Sequence, residues 1–167
     1  MRVIDILMAF PYILLAIALV AAFGPGIRNA TIALSIVGIP LYARLTRGSV
    51  LSIREREYVD AARALGLGEA RIMWRHVLPS AVPPVIVAAT LDVGFKIVAT
   101  AGLSFLGLGV QPPAADWGSM LASGRNFVGL ASHVATFPGL AILLVALGFN
   151  LFGDGLRDVL DPTLRAV

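Results

Sequence analysis

The chain has 167 residues, 58% of them hydrophobic and only 14% charged, with a mean hydropathy of +0.88. A soluble domain carries roughly 25% charged residues, and one of this size could not hide so much apolar surface in a single core, so the composition points to an integral membrane protein. The formal net charge is +3 and cysteine is absent, which excludes disulfides and thiolate metal sites.

A membrane-crossing helix needs about 20 mostly apolar residues. The first such run extends from about Val3 to Phe23. Asp5 and Pro11 interrupt the pattern of a cleaved signal peptide, which favours a retained span. GPGIRN closes this run, and a second follows from about Ala30 to Val50. A third opens near Ser80 and continues to about Ala101, and a fourth covers about Val134 to Phe152. Pro11 and Pro40 fall inside spans and are expected to kink them. Pro83 and Pro84 fall near the start of the third, where first-turn N–H groups lack partners. Between the third and fourth lies LSFLGLGVQPPAADWGSMLASGRNF. Its glycines and prolines read as a re-entrant turn or short interfacial helices, with Trp117 at headgroup depth. The expected architecture is all-α: a polytopic membrane helix bundle with four spans, forming one domain over 1–167.

The arginines orient it. Arg44, Arg47, Arg54, Arg56, Arg63, Arg71 and Arg75 lie around the join of spans two and three, Arg2 precedes the first span, and Arg157 and Arg165 follow the last. Only Arg28 and Arg125 fall in the other two loops. The positive-inside rule puts the arginine-rich side in the cytoplasm, with both termini. The loops at 24–29 and 102–133 then face outward. A basic stripe on a soluble face is missing, so no nucleic-acid partner is expected.

The charged loop is 54–79. Arginines alternate there with Glu55, Glu57, Asp60 and Glu69. Tyr58, Ala61, Ala62 and Leu65 recur at the spacing of one helix face. Gly66 and Gly68 break that helix or turn it sharply, and a second stretch, Ala70 to Val77, ends at Pro79. The segment reads either as a solvated loop that sets topology or as a docking element whose small face admits close approach.

Asp60-Ala61-Ala62, then Gly66, then Leu78-Pro79 resembles the EAA loop of ABC importer permeases. RVIDILMAFP, RLTRGSVLSIREREYVDAARALG, LSFLGLGVQPPAADWGSML and FNLFGDGLRDVLDPTLR resemble the dipeptide, oligopeptide and nickel branch of that family. The resemblance implies that the loop is a coupling helix seated in a groove of an ATPase subunit, with Asp60, Ala61, Ala62, Gly66, Leu78 and Pro79 as its coupling residues. Asp60 stands where glutamate is usual, and His76 where isoleucine is usual. Arg63, Arg71 and Arg75 could pair with acidic rims of that groove. The resemblance further implies a second permease subunit, two ATPase subunits, an extracytoplasmic solute-binding protein, and a bacterial or archaeal inner-membrane location. The match begins at about the family's third span, so two earlier spans are expected to be absent here. Gln111 to Met120, including Trp117, is the expected binding-protein contact or outer gate. The competing readings are a truncated membrane scaffold without transport and a membrane-embedded enzyme.

ATP hydrolysis by this chain is not expected, because its single lysine, Lys96, sits in VGFKIVA and no phosphate-binding loop surrounds it. No cofactor or metal is expected either: His76 and His133 fall on opposite sides of the membrane. Ser104, His133 and Asp116 could be assembled into a hydrolytic set on paper, but no nucleophile elbow accompanies them. Asp92 and Lys96 stand one helical turn apart inside the third span. Such residues are costly in lipid, so both are expected to pair and to face protein or water, at the pathway or at a helix contact. After the fourth span, Arg157 could pair with Asp154 or Asp161.

Overall fold

The computed structural model describes residues 1–160, and every regular element among them is helical. The first apolar run forms two helices, α1 (Arg2–Met8) and α2 (Tyr12–Phe23), bent by 97° at the break. The sequence predicts a kink at Pro11; the structure shows a full break. Proline disfavours helical dihedrals in the residue before it and offers no N–H to continue the ladder. No residue of α1 is buried, and Asp5 reaches Arg44 at 2.9 Å.

Gly24 and Gly26 take φ of 91° and 140° in the turn to α3 (Ile27–Arg54). The Asn29 amide donates to the carbonyls of Phe23 and Gly24 at 2.8 and 3.0 Å, which satisfies the otherwise orphaned end of α2. Pro40 lies inside α3. Beyond it come α4 (Glu57–Ala64) and α5 (Glu69–Ile72), then a π-turn over Met73–Val77 that runs directly into α6 (Leu78–Phe105).

Pro79 therefore does not end the second stretch of the loop. A proline ring clashes with the carbonyl four residues back, and the wider π-turn just before Pro79 relieves that contact. The result is one helical rod from Glu69 to Phe105. Pro83 and Pro84 lie inside this rod rather than in a first turn. Phe105 gives way to α7 (Trp117–Gly124), a short 3₁₀ turn at Arg125–Phe127, and α8 (His133–Leu160). The glycine- and proline-rich segment between the rod and α8 is thus a turn plus short helices.

By length and composition the rod and α8 qualify as membrane spans, and α1 with α2 would add a third if the bent pair counts as one; α3, which holds the expected second span, does not qualify, so two or three of the four expected spans are met among the described residues. The main core joins α2, α3 and α6 through Ala16, Val20, Ala33, Leu34, Ala99 and Leu103. Small residues let these backbones approach closely, which is how helices associate when lipid supplies no hydrophobic drive. The same logic joins α6 to α8: a Cβ on Gly94 would lie 2.9 Å from the Ala146 carbonyl, and one on Gly153 would lie 2.6 Å from Leu91 Cδ2.

Candidate functional site

Two regions concentrate the chemistry. The first is the charged loop. Ala62 and Val59 are buried, and with Ile53, Ile72, Val77 and Ala81 they form a second core that α3, α4, α5 and α6 share. Of the four residues expected from spacing to share one face, only one is buried. Ala62 points inward, but Tyr58 and Ala61 are exposed and Leu65 is 82% exposed. The inward face is chosen by the flanking helices, which offer Ile53 and Ile72 to Val59.

Gly66 has φ +77°. Its N–H donates to the Arg63 carbonyl at 2.9 Å, and the Leu67 N–H donates to the Ala62 carbonyl at 3.2 Å. These two bonds are the Schellman ending of a helix, with Gly66 in the left-handed position and Leu67 folded back onto the small core. The glycine thus has a conformational reason to be there, whatever sits on top of it. Arg63 braces the same turn through Asp60 at 2.8 Å and Glu69 at 2.9 Å. Those carboxylates, Glu69 first, hold the Arg63 guanidinium above its ordinary pKa. Arg63 is therefore spent within the loop, whereas Arg71 and Arg75 are exposed and make no ion pair among the described residues. Leu78 is half-buried and Pro79 exposed at the start of α6.

The second region is a polar cluster between α2, α3 and α6. Lys96 and Asp92 approach to 3.8 Å, as their spacing predicts. Neither relies on the other alone. Lys96 Nζ donates to the Tyr12 hydroxyl and, at 2.8 Å, to the Leu34 carbonyl. The Tyr42 hydroxyl donates to Asp92 Oδ2 at 2.7 Å. Gly38 makes the approach feasible, since a Cβ there would lie 2.9 Å from Lys96 Nζ. Both side chains face protein and a cavity of about 560 Å³. Sequence reasoning missed Tyr12, Tyr42 and Gly38. The available signal was a tyrosine within an apolar run, because a buried phenol needs a partner.

Trp117 lines this same cavity, together with Asp116. Gln111 does not join it; its amide folds back to the carbonyls of Gly107 and Gly109 at 3.0 and 3.1 Å. Ser104 is buried and accepts from the Val110 N–H, and Asp116 caps α7 by accepting from the Ser119 N–H. Both are turn fasteners. Arg157 forms no pair with Asp154 among the described residues, and Asp161 lies outside them. No group of three metal-ligating side chains occurs among the described residues.

Comparison with known proteins gives a family and close relatives. The family model described as binding-protein-dependent transport system inner membrane component matches residues 1–166. The dipeptide transport system permease protein of Alkalihalophilus pseudofirmus is 50% identical over 165 residues, which is 99% of this chain and 54% of that protein. The glutathione transport system permease protein of Pectobacterium atrosepticum is 49% identical over 166 residues, 99% of this chain and 55% of that protein. The Escherichia coli protein of the same description is 50% identical over 165 residues, with 54% of it covered. The chain spans about half the length of these relatives.

Proposed function

The chain belongs to the family of binding-protein-dependent transport system inner membrane components, and from that premise we propose that it serves as a transmembrane permease subunit of an ATP-driven importer for small peptides. In this reading the first apolar run, α3, the Glu69–Phe105 rod and α8 each cross the inner membrane. The loop at 54–79 lies in the cytoplasm with both termini. ATPase subunits supply the energy, a second permease subunit completes the pathway, and a solute-binding protein delivers cargo to the outer segment near Gln111 and Trp117.

The observation that carries the reading is the form of the charged loop within a chain of this family. Two short helices, a Schellman turn and a small core shared with the ends of α3 and α6 make 54–79 a stiff block, not a floppy connection. It is continuous with the Glu69–Phe105 rod. A block of that kind can pass displacement from an ATPase surface into the membrane, shifting the population between inward-facing and outward-facing states. Ala62 and Gly66 set its shape from within. Asp60, Ala61 and the exposed Leu65 and Trp74 form the face it would present.

The absence of native cysteine makes the test direct. Leu65→Cys should react with a membrane-impermeant maleimide in inside-out vesicles and resist it in right-side-out vesicles. Ala61→Arg, which adds bulk on the exposed face and spares the buried one, should abolish co-purification of a co-expressed ATPase subunit. Labelling of position 65 from the outside, or undiminished ATPase capture by the Ala61→Arg chain, would sink the proposal.

A further inference from the structure

The cavity beside Asp92 is unevenly furnished. Its charged lining is two carboxylates, Asp92 and Asp116, against one ammonium, Lys96. That ammonium donates to the Tyr12 hydroxyl and the Leu34 carbonyl and stands 3.8 Å from Asp92 Oδ2, so it leaves Asp92 Oδ1 and the Asp116 charge unmatched. The carboxylates are not filled. Asp92 receives Tyr42 on Oδ2, and Asp116 receives the Ser119 N–H on Oδ2. The Oδ1 atom of each has no hydrogen-bond partner among the described residues, and neither does the Thr100 hydroxyl on the same wall. No side-chain oxygen among the described residues is both fully buried and unpartnered, so Asp92 Oδ1 keeps accessible surface although the side chain is only 13% exposed, and Asp92 lines the cavity. The rest of the wall near it is apolar: Ala89, Val93, Ile97 and Ile142.

A cavity of this size suits a small molecule. With free acceptors and two carboxylates to one ammonium in its lining, it suits a cationic donor. Divalent metal is a poor fit, because the described residues hold no cluster of three ligands. We propose that this cavity binds a primary ammonium group, with Asp92 Oδ1 as its anchor, Asp116 lending negative potential at the rim, and Val93 and Ile97 covering the adjoining apolar part of the guest. That the ammonium is the amino terminus of a small peptide rests on the importer reading; the preference for an ammonium rests on the cavity alone.

The cavity also carries its own reporter. Trp117 lines it, whereas the other tryptophan, Trp74, is 72% exposed in the charged loop. The experiment uses the full chain with Trp74→Phe in lipid nanodiscs, titrated with dialanine while Trp117 emission is followed. Dialanine should give a saturable shift. Dialanine amide should bind at least as tightly, because its lost carboxylate was repelled by Asp116. N-acetyl-dialanine, without an ammonium, should need at least about tenfold more, the cost of one charge-assisted hydrogen bond. Asp92→Asn should weaken dialanine by about the same factor, while its amide oxygen still accepts from Tyr42 and keeps the helices in place. Ethylammonium chloride and potassium chloride separate an amine from any monovalent cation: the former should compete with dialanine and the latter should not.

Equal titration by the acetylated peptide overturns the proposal. So does wild-type binding by Asp92→Asn, competition by potassium, or no saturable response at all. None of these outcomes bears on ATPase capture, so failure here leaves the coupling test above standing, and failure there leaves the ammonium site standing.

Discussion

Gly118 offers the sharpest test of how the segment between α6 and α8 sits on the bundle. A Cβ built there would lie 2.3 Å from the Ala101 carbonyl oxygen and 2.8 Å from Ser104 Cβ. Ordinary contacts lie at about 3.5–4.0 Å, so Gly118→Ala forces α7 away from α6 by roughly 1 Å. The obstacle is backbone on one side and a buried side chain on the other, so no rotamer change removes it. Overpacking of this kind costs about 1–3 kcal/mol. For a chain of this length each kcal/mol moves the midpoint by about 2–4 °C, so thermal unfolding in detergent should fall by roughly 2–12 °C. Gly102 is the internal control. It lies in α6, and nothing stands within 4 Å of its imagined Cβ. Gly102→Ala should be neutral or should stabilise by up to about 1 kcal/mol through helix propensity. The assay is the near-ultraviolet circular dichroism midpoint of both variants beside the parent chain. Equal midpoints for the two would refute the packing of α7 against Ala101 and Ser104.

Three further outcomes follow from other contacts. Gly66→Ala places a side chain at φ +77°, at a cost of about 1–2 kcal/mol, so limited proteolysis should cut the 54–79 loop faster while the bundle midpoint stays nearly unchanged. Asp116→Ala removes the cap that holds the Ser119 N–H at 3.0 Å; it should cost about 0.5–2 kcal/mol and raise amide exchange in the first turn of α7, read by hydrogen–deuterium exchange. A double-mutant cycle on Tyr42→Phe and Asp92→Ala, each of which removes one partner of the bond, should give a coupling of about 0.6 kcal/mol and up to about 1.7, as hydrogen bonds between membrane helices do, and a coupling of zero would mean the 2.7 Å contact does not form.

Much of the bundle was legible because the signal is crude: long apolar runs need no partner to be recognised. The ends of helices were less so. Pro79 reads as a stop in any local scheme, yet the π-turn ahead of it carries the chain through. The Asp92–Lys96 pair was legible because both residues lie on one helix at a spacing of one turn. Its completion by Tyr12, Tyr42 and the Leu34 carbonyl was not, since those groups come from other helices and only packing brings them close. The loop shows the same boundary. Its Gly66 turn was readable from residue type, but the choice of Val59 over Tyr58 as the inward side chain belongs to Ile53 and Ile72. Local chemistry travels with the sequence, whereas the facing of an amphipathic helix with two apolar sides is decided elsewhere.

That division bears on how force would cross this molecule. The rod from Glu69 to Phe105 has 37 residues, or about 55 Å at 1.5 Å per residue, more than the thickness of a hydrocarbon core. At one end it is bolted to α4 by Ile72 and Val77; near the other it carries Ala101 and Ser104 against α7. Asp92 and Lys96 lie between, fastened to α3 and α2. A push on the loop therefore cannot tilt the rod without either carrying α2 and α3 along or breaking the Tyr42 and Tyr12 contacts. In the first case the three helices move as one body and the wall of the cavity formed by Asp92, Tyr42 and Lys96 keeps its shape. In the second, the cavity opens as the loop moves. A guest ammonium held by Asp92 Oδ1 between the walls of the closed cavity would lose contacts in the opened one, so its differential affinity would favour the first. Occupancy of the cavity and rigidity of the rod are then linked, and Tyr42→Phe should loosen both together.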